Sequence, residues 1–482
     1  MKSTLAGQLF VVLTTKEVVR FGKFLQSPYF NRRSDVLALF HLLARHVSAG
    51  LAADPAGTQS ASTQFTKTAI FAQIYPDQAF DRVRFNHLLT FFTERLEHFL
   101  ACEELEQDHF QHHLLRCRAF RQRGLLSHFD DNVRELARDH AAAPYRNAGW
   151  WLFEYQLQNE LFARQVLYQR GGSQHAPRVF AATQALSNFF LLENMRWSAT
   201  ARSIESLSGD AQLPVPLAAE IHRVAADTTE TDNPALALTY AGLQALSNPD
   251  DEPAFTRLKL LLRAHIGLFP PNEARDLYMT AINCAIRRHN RGGSAYTREA
   301  FDLYREALTA QLLTDNGLLP KYTFINLLNL AQLVGEHAWA RDFLEQGREL
   351  LPLNDRDNTY RYARAGYYFR RSEYPEVLAL LREVDFSDAF IHLDARKMMI
   401  RSYYELGEWT ALASLLDSFK AYLRRQKDLG YHRDSYLNLV KFTQKVIRVA
   451  DKRAGARRKL ALQIQAVEAL AEREWLLEKL DV

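Results

Sequence analysis

Between about residues 320 and 425, one helical-hairpin pattern recurs three times, and its spacing constrains the architecture more than any other feature of the chain. In LVGEHAWARDFLEQGRELLP, FRRSEYPEVLALLREVDF and YELGEWTALASLLDSFKAYL, the turn residues Gly335, Ser372 and Gly407 hold one position, 37 and 35 residues apart. A period of that length belongs to stacked helix pairs, because each pair buries its apolar stripe only against its neighbours. The pattern predicts an all-α chain that grows by adding hairpins of antiparallel helices instead of closing separate cores.

The length of 482 residues would allow about three ordinary domains, a count that a repeat array evades. Hydrophobic residues at 47% and aromatics at 12% supply a packed interior and exclude a disordered chain. Cys102, Cys117 and Cys284 are too few and too scattered for a disulfide scaffold, so a reducing, cytoplasmic setting is expected. No run approaches the roughly 18 apolar residues that a membrane helix needs, and no membrane insertion is expected. Lys2 precedes an apolar run from Leu5 to Leu13, in the manner of an export signal. Gln8 interrupts that run, however, no small-x-small site follows, and Thr14-Thr15-Lys16-Glu17 reads as a capping box opening a helix.

The period is helical almost throughout. A helix pair is expected over 1–47, a flexible linker over 48–64, where small residues follow no period, and a helical-repeat body over 65–310. The three hairpins fill 311–425, and capping helices fill 426–482. One uninterrupted helical pattern runs from Phe80 to Gly124. Arg-Gly-Gly-Ser occurs at 170–173 and at 291–294, and with no strand before either it reads as a turn between helices.

The hairpins resemble the tetratricopeptide repeat in their spacing. Around Gly407 stand Tyr403, Leu406, Trp409, Leu416 and Phe419; around Gly335 stand Leu327, Ala331, Ala340, Leu344 and Pro352; around Ser372 stand Ala365, Tyr368, Tyr374 and Leu381. Ile400 and Leu412 replace the usual small residues, which marks the repeats as divergent. The resemblance implies a right-handed superhelix, an alpha solenoid, in which the first helix of each pair lines a groove. It would place Asn326, Asn329, Gln332, Tyr362, Lys397, Arg401 and Tyr404 against a partner. Lys397 and Arg401, four apart, could grip a carboxylate; the ordinary reading is that they pair with Asp394 or Glu405 on their own helix. The whole chain is also similar to a family of helical-repeat proteins from Bacteroidota, through LTTKEVVRFGKFLQSPYFN, ALSNFFLLENMRW, LDARKMMIRSYYELGEWTALASLLDSFKAYLRR and LAEREWLLEKL. That likeness implies relatives without implying an activity.

For metal chemistry the candidate is Cys102, His109, His113 and Cys117. On a continuous helix the outer pair would stand about 22 Å apart, so at most His109 and His113 share an ion. Phe110 follows His109 where the metalloprotease pattern has Glu, and no metal site is assigned. Nucleophile elbow, phosphate-binding loop, dinucleotide fingerprint and kinase motifs are all missing, so no catalytic residue, cofactor or enzymatic activity is expected.

The net charge is +4, yet Lys420–Lys459 carries 13 basic and 3 acidic residues, a local +10 that leaves −6 on the remainder. Within it Lys452, Arg453, Arg457, Arg458 and Lys459 are the candidates for a polyanion; the ordinary reading is a soluble cap. Tyr360–Arg371 interleaves arginine with aromatics, as nucleic-acid surfaces do. Residues 65–101 resemble the helical part of winged-helix domains in transcriptional activators, although the basic excess of a DNA-reading helix is lacking. The leading expectation is a non-enzymatic scaffold or adaptor that binds a protein or peptide. The alternative is a nucleic-acid-associated regulator using the amino-terminal helices or the basic segment.

Overall fold

A computed structural model of the chain describes residues 4–51, 66–166, 172–208, 213–227, 230–248, 250–290, 293, 295–384, 388–426, 429–449 and 454–480. Among these residues the regular structure is helical: 23 α-helices form, and pairing of the β type is confined to an isolated bridge between Asp315 and Leu318. None of the helices among them is long and apolar enough to cross a membrane. Contacts divide the chain into two compact units, Met1–Ala143 with Trp150–Leu186, and Pro144–Gly149 with Ser187–Val482.

In the first unit the capping box forms: Glu17 N–H donates to Thr14 Oγ1 at 3.3 Å, and Thr14 N–H donates to Glu17 Oε2 at 2.7 Å. The helices Thr15–Gln26 and Ser34–Leu51 bury Phe21 and Phe40 against Phe92 of the helix Arg82–Gln107, with Phe21 edge-on to both at 5.7 and 5.6 Å. The expected amino-terminal pair and the segment after the linker therefore share one core. Residues 48–51 of that linker continue the second helix, and the rest lies outside the described residues.

The pattern read as uninterrupted from Phe80 to Gly124 is two helices, Arg82–Gln107 and His109–Gln122. Asp108 leaves helical geometry at φ −85 and ψ 85, and its carboxylate accepts from Gln111 N–H at 2.9 Å. A short acidic side chain that satisfies a backbone donor competes with the helix it interrupts. The Arg-Gly-Gly-Ser turns fall largely outside the described residues.

The second unit contains the three hairpins, Lys321–Leu333 with His337–Gly347, Arg356–Arg370 with Tyr374–Leu381, and Ala389–Glu405 with Trp409–Arg425. Their first helices end alike. Gly335, Ser372 and Gly407 have φ of 84, 59 and 70°. Each donates to the carbonyl three residues back, and the next residue donates to the carbonyl five back, as in Glu336 to Ala331, Glu373 to Tyr368 and Glu408 to Tyr403. This is the Schellman closure, whose left-handed residue is easiest for glycine. The first helices of successive hairpins also pack on one another.

Candidate functional site

Three first helices set side by side present residues spaced three and four apart to a common space. Ile325, Asn329 and Gln332 come from the first, Tyr362, Gly366 and Arg370 from the second, and Asp394, Lys397 and Arg401 from the third. They line a cleft of about 510 Å³, with Glu472 from the C-terminal segment completing its wall. Gly366 keeps the second helix thin at this point: a Cβ there would lie 4.0 Å from Asn329 Oδ1.

An ion-pair network occupies the base. Asp394 accepts from Lys397 at 2.5 Å and from the Tyr362 hydroxyl at 2.6 Å. Arg401 donates to Glu472 at 3.1 Å, while Lys397 stands 3.9 Å from that carboxylate. Enclosure by the walls alone would raise the Asp394 pKa, but Lys397 and Tyr362 outweigh it and hold the carboxylate below its usual range. Enclosure pulls the Lys397 ammonium down, and Asp394 more than restores it. Burial, followed by the charge of Asp394, raises the Tyr362 phenol, which therefore stays protonated as a donor.

The C-terminal segment holds Glu472 in place. This residue adopts a left-handed conformation, φ 55 and ψ 35, which costs roughly 1 kcal/mol for a residue with a Cβ. Beyond it, Trp475 Nε1 donates to Glu405 at 2.7 Å, its ring meets Tyr404 edge-on at 5.2 Å, and Lys479 Nζ lies 2.9 Å from Glu405.

Arg370 stands apart from this network. Its side chain is open to solvent at the cleft, and among the described residues it has no hydrogen-bond or ion-pair partner. The flanking walls nevertheless strip water from the guanidinium and lower its pKa, against the pull of Asp394 and Glu472. The half-buried amide of Asn329 is also without a partner among the described residues.

Of the seven residues expected to meet a partner, Asn329, Gln332, Tyr362, Lys397 and Arg401 line the cleft. Asn326 instead hydrogen-bonds Tyr304, and Tyr404 lies under Trp475. Lys397 takes Asp394 on its own helix, whereas Arg401 takes Glu472, far away in sequence. The stretch Tyr360–Arg371 already held Gly366 and Arg370 as part of a candidate polyanion surface, but nothing set them beside Asn329 and Lys397, and Glu472 was missed. Arg370 had a signal, since Tyr362, Gly366 and Arg370 are four apart on one face; Glu472 had none.

Among the polyanion candidates, Arg458 and Lys459 are exposed and Arg457 is half-buried on the helix Ala454–Gln465, while Lys452 and Arg453 lie outside the described residues. The His109 and His113 rings stand 4.3 Å apart, and His109 Nε2 lies 3.2 Å from Asp139. Asp108 puts Cys102 on a different helix from both, so the expected stripe does not form. Among the described residues no three His, Cys, Asp or Glu side chains gather as a metal-ligand set.

A second cavity of about 350 Å³ lies among Leu192, Glu193, Arg196, Phe269 and Glu273. Arg196 pairs with Glu193 at 2.7 Å, and Asn147 donates to Glu273 at 2.6 Å, where burial pushes the carboxyl pKa up. These polar groups satisfy one another, unlike Arg370. No family model, curated protein or solved structure matches the chain.

Proposed function

We propose that the chain is a non-enzymatic, cytoplasmic scaffold or adaptor with a tetratricopeptide-like superhelix, related to the helical-repeat family from Bacteroidota, and that it holds a partner protein or peptide along its first helices. The observation that carries this reading is the cleft itself: five of the seven residues assigned to the inner face line it from three successive hairpins. Concave surfaces of stacked helix pairs commonly serve as docking surfaces, and this one combines an open polar mouth with an ion-paired base. The exposed Arg458 and Lys459 in the basic segment favour the second reading, a nucleic-acid-associated regulator.

A pull-down with the full tagged chain from the native host's lysate, with and without nuclease, separates the two. The scaffold reading expects a stoichiometric protein that survives nuclease and is lost when Gly366→Leu fills the cleft. Recovery of nucleic acid, with proteins lost after nuclease, overturns it in favour of the regulator.

A further inference from the structure

We propose that the cleft binds a phosphomonoester, with Arg370 as the cation that receives the phosphoryl group. The inference rests on the reading of this cleft as the docking surface and names the chemistry it selects. Its starting point is the balance of charge. Arg370, Arg371, Lys397 and Arg401 line the cleft against Asp394 and Glu472. Lys397 is matched by Asp394, Arg401 by Glu472, and Arg371 by Glu373 at 2.6 Å. Arg370 is left over, exposed at the cleft it lines. An anion that enters gains a charge-assisted pair with this guanidinium.

Geometry favours a tetrahedral anion. A planar carboxylate is satisfied by the two parallel N–H groups of one guanidinium. Here donors come from three helices: the Asn329 amide from the first, the Arg370 fork from the second, and Lys397 from the third. Lys397 has three N–H donors and places one on Asp394 at 2.5 Å, with Glu472 beyond hydrogen-bond reach at 3.9 Å. A phosphoryl group offers three acceptor oxygens in different directions, one toward each helix. The missing side chain at Gly366 leaves room beside Asn329, and about 510 Å³ exceeds what the phosphoryl group alone fills. The remainder accommodates either the body of a small metabolite or the backbone of a phosphorylated partner segment.

The test is calorimetric titration of the full chain with phosphoserine, with a phosphoserine peptide of neutral flanking sequence, and with glutarate as the carboxylate control. Phosphoserine is expected to bind, and Arg370→Gln to weaken it at least about tenfold. The exposed Arg382→Gln outside the cleft should leave the affinity within about twofold. Gly366→Leu, which keeps every charge, should also abolish binding. Tighter binding of the peptide assigns the ligand to a partner's modified side chain, and equal binding assigns it to a free metabolite. Glutarate binding as well as phosphoserine, no phosphoserine binding at all, or affinity unchanged in Arg370→Gln each overturns the proposal. A partner still captured after phosphatase treatment, while phosphoserine fails to bind, leaves the scaffold reading standing alone. Arg370-dependent phosphoserine binding with no protein captured does the reverse.

Discussion

Ser372 carries a conformation that its counterparts Gly335 and Gly407 adopt without a side-chain penalty. At φ 59° its Cβ crowds the following carbonyl, so Ser372→Gly is expected to raise stability by up to about 1 kcal/mol, and Gly407→Ala to lower it by about 1 kcal/mol. Urea midpoints at unchanged slope measure both. His392 makes a pH-dependent contribution. Burial, and then the nearby Arg396, lower its pKa from 6.5 to about 4. The geometry agrees, since Arg396 Nε donates to His392 Nε2 at 3.1 Å and needs that nitrogen unprotonated. Below pH 6.5 the unfolded chain takes up a proton that the folded chain refuses. The contribution is therefore whole above pH 6.5 and is lost as the pH falls toward 4. Between pH 7 and 5 the wild type should lose about 2 kcal/mol more unfolding free energy than His392→Gln; equal losses would remove His392 as the cause.

Among the elements, the short helix Arg473–Glu478 does more than its six residues suggest. Trp475, 3% exposed, fixes it to the helix Ala389–Glu405 through Glu405 and Tyr404. Trp475→Ala is expected to cost about 3–5 kcal/mol, read from thermal or denaturant unfolding. The hairpins were legible because their signals are local: Gly335, Ser372 and Gly407 mark left-handed closures, and the resemblance to the tetratricopeptide repeat implied that Asn329 and Lys397 face a groove. The break at Asp108 was not legible, because a helical period runs through it and only the competition for Gln111 N–H decides the outcome. Arg370 was legible only as one arginine of the aromatic stretch Tyr360–Arg371. Its freedom shows only once Asp394, Glu472 and Glu373 are known to be engaged elsewhere.

At the scale of the whole molecule, periodicity and composition foretold the helical content, while the grouping into units depended on contacts no repeat announces. The phenylalanines of 82–107 join those of the amino-terminal helices across a stretch that reads as a linker. Charge is uneven too, a local +10 on 420–459 against −6 elsewhere. Any nucleic acid recovered through that segment should be released steeply by salt, with an affinity that falls further in Arg458→Gln with Lys459→Gln. Capture of a protein through the cleft should tolerate salt better, since its paired charges are enclosed.

Glu472 is 71 residues beyond Arg401, the cation it neutralises. During synthesis the three hairpins, which end at Arg425, are all made before that carboxylate is added. For that interval the growing chain presents the same groove with one wall missing and an extra bare positive charge. The charge balance of the cleft is thus a property that the chain acquires late, once Glu472 is in place to neutralise Arg401.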